Sequence, residues 1–176
     1  MWKILLLLSA WIDRRTNDIG KLAAALGVAM IALVATNVAL RYSFSFGAVW
    51  AQELEWHLLA AMIQLGMAHA LLHGGAVRVD LIYQRYGPRT QRAVDAVSAL
   101  LMVAICALFI ALSLGYVAQS FNVSETSSDP GGMAYRWLLK ALIPVGFALI
   151  IVQQLSELIR TLAPRHLLPP HGETHA

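Results

Sequence analysis

Apolar residues in this chain occur in four runs that are long enough to cross a lipid bilayer. A spanning helix needs about 20 residues, and the runs cover approximately residues 19–42, 50–73, 88–121 and 134–162. None of them shows the polar and apolar alternation of a membrane barrel strand. Because a spanning segment must satisfy its own backbone hydrogen bonds, the pattern predicts an all-α integral membrane protein with four transmembrane helices.

Shorter stretches flank these runs. The apolar part of residues 1–18 is too short to span and ends in charges, and Trp2 and Trp11 suit headgroup depth, so an interfacial helix is predicted there. A signal peptide or signal anchor is the alternative, but no small-residue cleavage site precedes the charges. A second short interfacial helix is expected at Val77–Tyr86. The proline- and histidine-rich residues 164–176 are expected to form a disordered tail.

Composition and charge support this reading and orient it. The chain is 59% hydrophobic and only 13% charged, against about 25% charged residues in soluble domains. Ten lysine and arginine residues lie at the termini or between the second and third runs, and three lie on the opposite side: Arg41, Arg136 and Lys140. The positive-inside rule therefore predicts that both termini are cytoplasmic. The basic residues flank apolar runs and form no stripe beside aromatic residues, so no nucleic-acid partner is expected, whereas membrane lipid is.

The predicted spans contain few groups that could carry chemistry. Away from their ends the polar residues are Asn37, Gln64, His69, Cys106, Ser113 and Gln153. None of these is an acid, and a lone histidine such as His69 more often secures a helix contact than relays protons. A single cysteine allows no disulfide. We therefore predict no catalytic, cofactor-binding or metal-binding residue in this chain.

Residues at the helix ends are the stronger candidates for structural and interface roles. Arg41 closes the first run and Glu53 opens the second, so the short loop between them predicts an Arg41–Glu53 pair. Arg78 and Asp80 lie together in the cytoplasmic loop. Gly66 stands four residues before Ala70, a spacing that favours close helix packing.

Several of these residues belong to motifs that resemble the small membrane subunit of tripartite ATP-independent periplasmic (TRAP) transporters. The resemblance covers roughly residues 37–160. Its motifs are Asn37–Tyr42, Phe46, Trp50, Gln52–Leu54, Gly66, Ala70-Leu71, Val77–Asp80, Ser128–Gly132, Tyr135–Trp137, Lys140 and Ile143–Gly146. The chain departs from many relatives at Ala76, where they have histidine, and at Gln52, where they have a second acid.

The resemblance implies a sodium-coupled secondary transporter of the bacterial inner membrane that imports a small organic acid or related solute. A periplasmic substrate-binding protein captures the solute, and a large membrane subunit holds the substrate and sodium sites. The small subunit enlarges the static scaffold against which an elevator-like domain moves. The resemblance implies no cofactor and no substrate site in this chain.

The predicted external segment, residues 119–135, is a candidate docking site for the binding protein. It carries Glu125 and Asp129 before Arg136, and so offers charges of both signs to a soluble partner. The alternative is a plain connector in which residues 129–132 make a turn.

Two other functions compete with the scaffold role. A self-sufficient oligomeric channel or exporter could line a pore with Gln64 and His69. A membrane anchor for a redox enzyme could ligate haem through His57, His69 or His73, but haem ligation across a bundle needs histidines on facing helices, and all three lie on one helix or its end.

Overall fold

The computed structural model describes residues 2–75 and 83–164. Their long helices are α1 (Trp2–Phe44), α2 (Val49–Leu72), α3 (Pro88–Asn122) and α4 (Arg136–Leu162), and these residues contain no strand. The predicted all-α class is therefore confirmed for the described residues. Arg78 and Asp80, most of the expected interfacial helix at 77–86, and residues 165–176 of the expected tail lie outside them.

The helix ends follow local sequence signals. α2, α3 and α4 begin and end within two residues of the predicted runs. Gly74, with a φ of 76°, follows the end of α2, and Pro88 occupies the first turn of α3, where its missing N–H costs no hydrogen bond. α4 continues through Pro144.

The N-terminal segment differs from the expectation of a separate element. A boundary was expected near residue 18, but α1 is one helix of 43 residues. The only glycine or proline near that point is Gly20, and one glycine costs a helix only about 1 kcal/mol. The interfacial location of residues 1–18 stays a prediction.

Three described helices, α1, α3 and α4, are long and apolar enough to cross a membrane. α2 has 24 residues, sufficient for about 36 Å of helix, but Glu53, Glu55, His57 and His69 make it more polar. A fourth spanning helix and cytoplasmic termini therefore stay predictions.

The helices form two antiparallel hairpins, α1–α2 and α3–α4, and α4 packs against both helices of the first hairpin. α1 lies against α2 from Asn37, which donates to Glu55 Oε1 at 2.8 Å, to Gly20, which faces the His69 ring. α3 lies against α4, where Phe109 and Phe147 stack with ring centroids 4.9 Å apart.

Most buried apolar residues are small, and most large apolar residues face outward. Within residues 2–75 and 83–164, six of the eight buried hydrophobic residues are alanine or cysteine, namely Ala23, Ala51, Ala68, Ala99, Cys106 and Ala163. Large side chains such as Val28, Ile31 and Leu112 are each more than 60% exposed. This distribution suits a bundle in lipid, where small residues let helices approach closely and apolar side chains face acyl chains.

Side chains of α2 pack directly against glycines of α1 and α4. A Cβ on Gly20 would lie 2.2 Å from Cγ of His69, and one on Gly146 would lie 2.4 Å from Oε1 of Gln64 and 3.0 Å from the Gln64 carbonyl oxygen. Gly66, the candidate from sequence spacing, is less crowded, because its Cβ would make an ordinary 3.7 Å contact with Ala23. The tightest helix contacts therefore use Gly20 and Gly146 rather than Gly66.

We expect Gly20→Ala and Gly146→Ala to destabilise the bundle by about 1–3 kcal/mol, because the added methyl would displace a ring or a backbone carbonyl. Unfolding of the purified chain in detergent would measure this. Gly66→Ala and Gly115→Ala are matched controls, since a Cβ at Gly115 would meet nothing within 4 Å. Equal effects at all four positions would contradict the packing described.

Candidate functional site

Two clusters of hydrogen-bonded polar groups lie at opposite ends of the bundle, and each surrounds one carboxylate. The Glu53 cluster joins the start of α2 to the loop before α4, and consists of Glu53, Ser127, Met133 and Arg136. The Asp13 network joins the N-terminal third of α1 to the last turns of α4, and consists of Ser9, Asp13, Thr16, Gln153, Ser156 and Arg160.

Glu53 is the centre of the first cluster. Its side chain is only 3% exposed. Oε1 accepts hydrogen bonds from Ser127 Oγ and, at 3.0 Å, from Arg136 Nη2, while Oε2 accepts from the backbone N–H of Met133. A buried carboxylate is tolerated only when it is paired and hydrogen-bonded, and this arrangement supplies both conditions.

The loop around Glu53 is shaped to reach it. Ser127 N–H donates to the Met133 carbonyl oxygen at 3.0 Å, so the chain turns back between these residues. Gly131 supplies a φ of 81° in that turn. A Cβ on Gly132 would lie 2.9 Å from Glu53 Oε2 and 2.4 Å from the Ser127 side chain. The loop therefore needs glycine where it passes the carboxylate.

A second ion pair holds the same loop to α4. Lys140 donates a hydrogen bond to Glu125 Oε2, and its Nζ lies 4.0 Å from the centre of the Tyr116 ring. The backbone N–H of Arg136 donates to the Glu125 carbonyl oxygen at 3.1 Å. Glu125, expected to face a soluble partner, is thus half-buried and engaged within the chain.

Both oxygens of the Asp13 carboxylate likewise accept hydrogen bonds. Asp13 Oδ1 accepts from Gln153 Nε2 at 3.0 Å and from Ser156 Oγ at 2.8 Å, and Oδ2 accepts from Arg160. Thr16 Oγ1 donates to Gln153 Oε1 at 2.8 Å. Each contact joins α1 to α4, so the network fixes both the position and the rotation of the N-terminal third of α1.

The predicted Arg41–Glu53 pair is wrong. Among the described residues the ionic partner of Glu53 is Arg136, which stands 83 residues further along the chain. Arg41 is exposed and lies beside the Gly47 backbone in the α1–α2 loop. Sequence proximity favoured Arg41, whereas the folded loop brings Arg136 to the carboxylate.

The remaining candidates are on the surface. Trp50 is 52% exposed at the start of α2, and Asp129 is exposed at the tip of the loop. Reasoning from the sequence missed the Asp13 network entirely. The available signal was the combination of Asp13 near the start of the chain with Gln153, Ser156 and Arg160 spaced along one face of a helix.

Two polar side chains of α2 pack against neighbouring helices. Gln64 Oε1 and His69 Nδ1 are buried without a hydrogen-bond partner. Gln64 faces Gly146 of α4, whereas His69 faces Gly20 of α1, so they lie in two different helix contacts. Within residues 2–75 and 83–164, no group of three or more His, Cys, Asp or Glu side chains is placed to hold a metal ion.

This architecture is that of a multi-pass α-helical membrane protein, with three apolar helices of spanning length among the described residues and a carboxylate paired with an arginine at each end of the bundle. Over residues 30–163 the chain matches the family described as "Tripartite ATP-independent periplasmic transporters, DctQ component". The chain belongs to this family of DctQ components, and this membership together with the three apolar helices identifies it as a multi-pass protein of the bacterial inner membrane.

A curated relative agrees with this assignment. The chain is 26% identical over 117 residues to the C4-dicarboxylate TRAP transporter small permease protein DctQ of Pseudomonas aeruginosa. The aligned part covers 66% of this chain and 56% of that relative, so the chain spans little more than half of the relative's length.

We expect Glu53→Gln and Arg136→Gln to be non-additive in a double-mutant cycle on unfolding in detergent, because each change alone leaves its partner without an opposite charge. Arg41→Gln is the matched control and should add independently to Glu53→Gln. A coupling of Glu53 to Arg41 that equals or exceeds its coupling to Arg136 would contradict the structure.

The Glu125–Lys140 pair predicts a pH dependence. The hydrogen bond from Lys140 is the main reason that the pKa of Glu125 lies below its ordinary value of 4.5. A carboxyl group with a lowered pKa in the folded state stabilises the fold above the ordinary pKa, and this stabilisation disappears as the pH falls through the folded-state pKa.

The stability advantage of the wild type over Glu125→Gln should therefore be full near pH 7 and shrink below pH 4.5. Thermal unfolding in detergent between neutral and acidic pH would measure it, with Asp129→Asn as the matched loss of one charge in the same loop. An advantage that grows on acidification would show that the ion pair does not stabilise the loop.

Proposed function

We propose that this chain is a static scaffold subunit for a large transport subunit in a sodium-coupled TRAP transporter. Membership of the family supports the small-subunit role. The scaffold role is supported by two ion pairs within the chain. Arg136 binds the buried carboxylate of Glu53, and Arg160 binds the half-buried carboxylate of Asp13.

A transport site requires ionisable groups that can exchange partners with an ion or a solute at membrane depth. The carboxylates of Glu53 and Asp13 accept several hydrogen bonds from their own chain, and releasing them would loosen the contacts between helices. Such groups suit a rigid support. The substrate and sodium sites accordingly belong to the large membrane subunit, and this chain needs no cofactor.

The solute is proposed to be a small organic acid, and the name of the Pseudomonas aeruginosa relative, a C4-dicarboxylate transporter component, supports that class. A periplasmic substrate-binding protein would deliver it. With four spanning helices and both termini in the cytoplasm, the Glu53 cluster and the loop of residues 123–135 face the periplasm.

That loop is the proposed docking surface for the binding protein. Because Glu125 is held by Lys140, the exposed Asp129 is the better candidate for a charged contact. A charged residue at the rim of an interface acts mainly on the rate of encounter and on its salt dependence. Asp129→Asn should therefore reduce uptake only at limiting binding protein.

Reconstitution would test the proposal. Proteoliposomes with this chain alone should show no sodium-driven uptake of an organic acid, whereas the chain together with its large subunit and binding protein should. Asp129→Asn and Arg41→Gln, each a single exposed charge, would be compared in the complete system. Uptake or ion conduction by the chain alone would overturn the scaffold role in favour of a self-sufficient channel.

A further inference from the structure

The N-terminal third of α1 carries an exposed stripe of mixed character. Its apolar part consists of Ile4, Leu7, Leu8 and Trp11, which are 72%, 71%, 47% and 56% exposed. Arg14 and Arg15 follow at three and four residues after Trp11, and both are exposed. Residues at these spacings share one face of a helix, so the six side chains form a continuous surface, here called the Trp11 stripe.

The rotation of α1 is set by its opposite face. Ser9, Ile12 and Thr16 are buried, and Ser9 and Thr16 hydrogen-bond to Ser156 and Gln153 of α4. Because this face is held by buried polar contacts, the Trp11 stripe has to point away from the bundle. Its exposure follows from the fold.

The charge of the stripe is positive because the nearby acids are engaged elsewhere. Asp13 lies on the side of α4, where Arg160, Gln153 and Ser156 bind it. Asp18 pairs with Lys21 at 3.7 Å. Among the described residues Arg14 and Arg15 form no ion pair, and the guanidinium of Arg15 lies 5.5 Å from the centre of the Trp11 ring.

The position of the stripe along the bundle is also defined. Residues 9–16 lie beside residues 153–160 of α4, the last turns of a helix of spanning length. α2 ends earlier, and the ring of His73, just beyond it, lies 3.4 Å from Asn17. The stripe is therefore at the level where a spanning helix leaves the membrane.

We propose that the Trp11 stripe binds anionic phospholipid. The apolar side chains enter the acyl boundary, the Trp11 ring lies at headgroup depth, and Arg14 and Arg15 bind the headgroup phosphates. Apolar and aromatic residues with adjacent arginines form the usual interfacial surface of a membrane-bound helix, and a guanidinium can bind phosphate through two hydrogen bonds. The proposal does not depend on the transporter assignment.

A soluble acidic partner fits this surface less well than a lipid does. The four apolar side chains would remain in water unless a partner buried them together with the arginines. An anionic phospholipid offers acyl chains and a phosphate in one molecule, so it can cover the four apolar side chains and bind the two arginines together.

Quenching of Trp11 by brominated lipids would test the proposal. The full chain would be placed in phosphatidylcholine nanodiscs containing increasing fractions of brominated phosphatidylglycerol or brominated phosphatidylcholine. The contribution of Trp11 is the difference between the wild type and Trp11→Phe. Since a basic residue near the surface strengthens binding of anionic lipid about fivefold, we expect a clear preference for phosphatidylglycerol that Arg14→Gln/Arg15→Gln removes.

Arg89→Gln/Arg92→Gln is the matched control. It also removes two positive charges, but at the start of α3, and should leave the lipid preference unchanged. Circular dichroism would verify the helicity of every variant. Equal quenching by both lipids in the wild type would overturn the proposal, and so would an equal loss in the control. Disappearance of Trp11 quenching when the large subunit is co-reconstituted would also overturn it, because a protein partner would then cover the stripe.

Discussion

Close approach of helices is the constraint on which this fold depends. Lipid chains are as apolar as leucine, so no hydrophobic force draws helices together within the bilayer, and association relies on van der Waals contact and hydrogen bonds. Gly20 and Gly146 allow the side chains of α2 to sit directly on the backbones of α1 and α4. Most of the buried apolar residues in the described part of the chain are small for the same reason, because larger side chains would separate the helices.

The two polar clusters close the bundle at its ends, where charged groups are least costly. At one end Glu53 fixes the loop before α4, and at the other Asp13 fixes the start of α1 to the end of α4. Both carboxylates have an arginine and further donors, so each buried charge is compensated by groups from a different element. Pairing of this kind at both ends of the bundle is the basis of the proposed scaffold role.

Pairing inside the bundle also determines the outer surface. Because Asp13 turns toward α4 and the buried face of α1 is fixed, Trp11, Arg14 and Arg15 face outward together. Similarly, the engagement of Glu125 by Lys140 leaves Asp129 as the exposed acid of its loop. The residues available to lipid or to a soluble partner are thus those that the internal contacts did not use.

The sequence by itself determined the helical class, the ends of α2, α3 and α4, and the family. These properties follow from local hydropathy, from glycine and proline at the boundaries, and from motifs read along the chain. It did not reveal that α1 continues through residue 18, because hydropathy reports the preferred solvent of a segment and not the continuity of its helix.

Only the tertiary structure decided which charges meet. Arg41 and Arg136 are both arginines near the same end of the bundle, and proximity in sequence favoured the wrong one. A loop folded by Gly131 and Gly132 brings Arg136 to Glu53, and the contacts of Asp13 reach across more than 135 residues of sequence. Such pairs depend on distances between elements, and those distances are set by the packing of helices around glycine, which local sequence patterns do not specify.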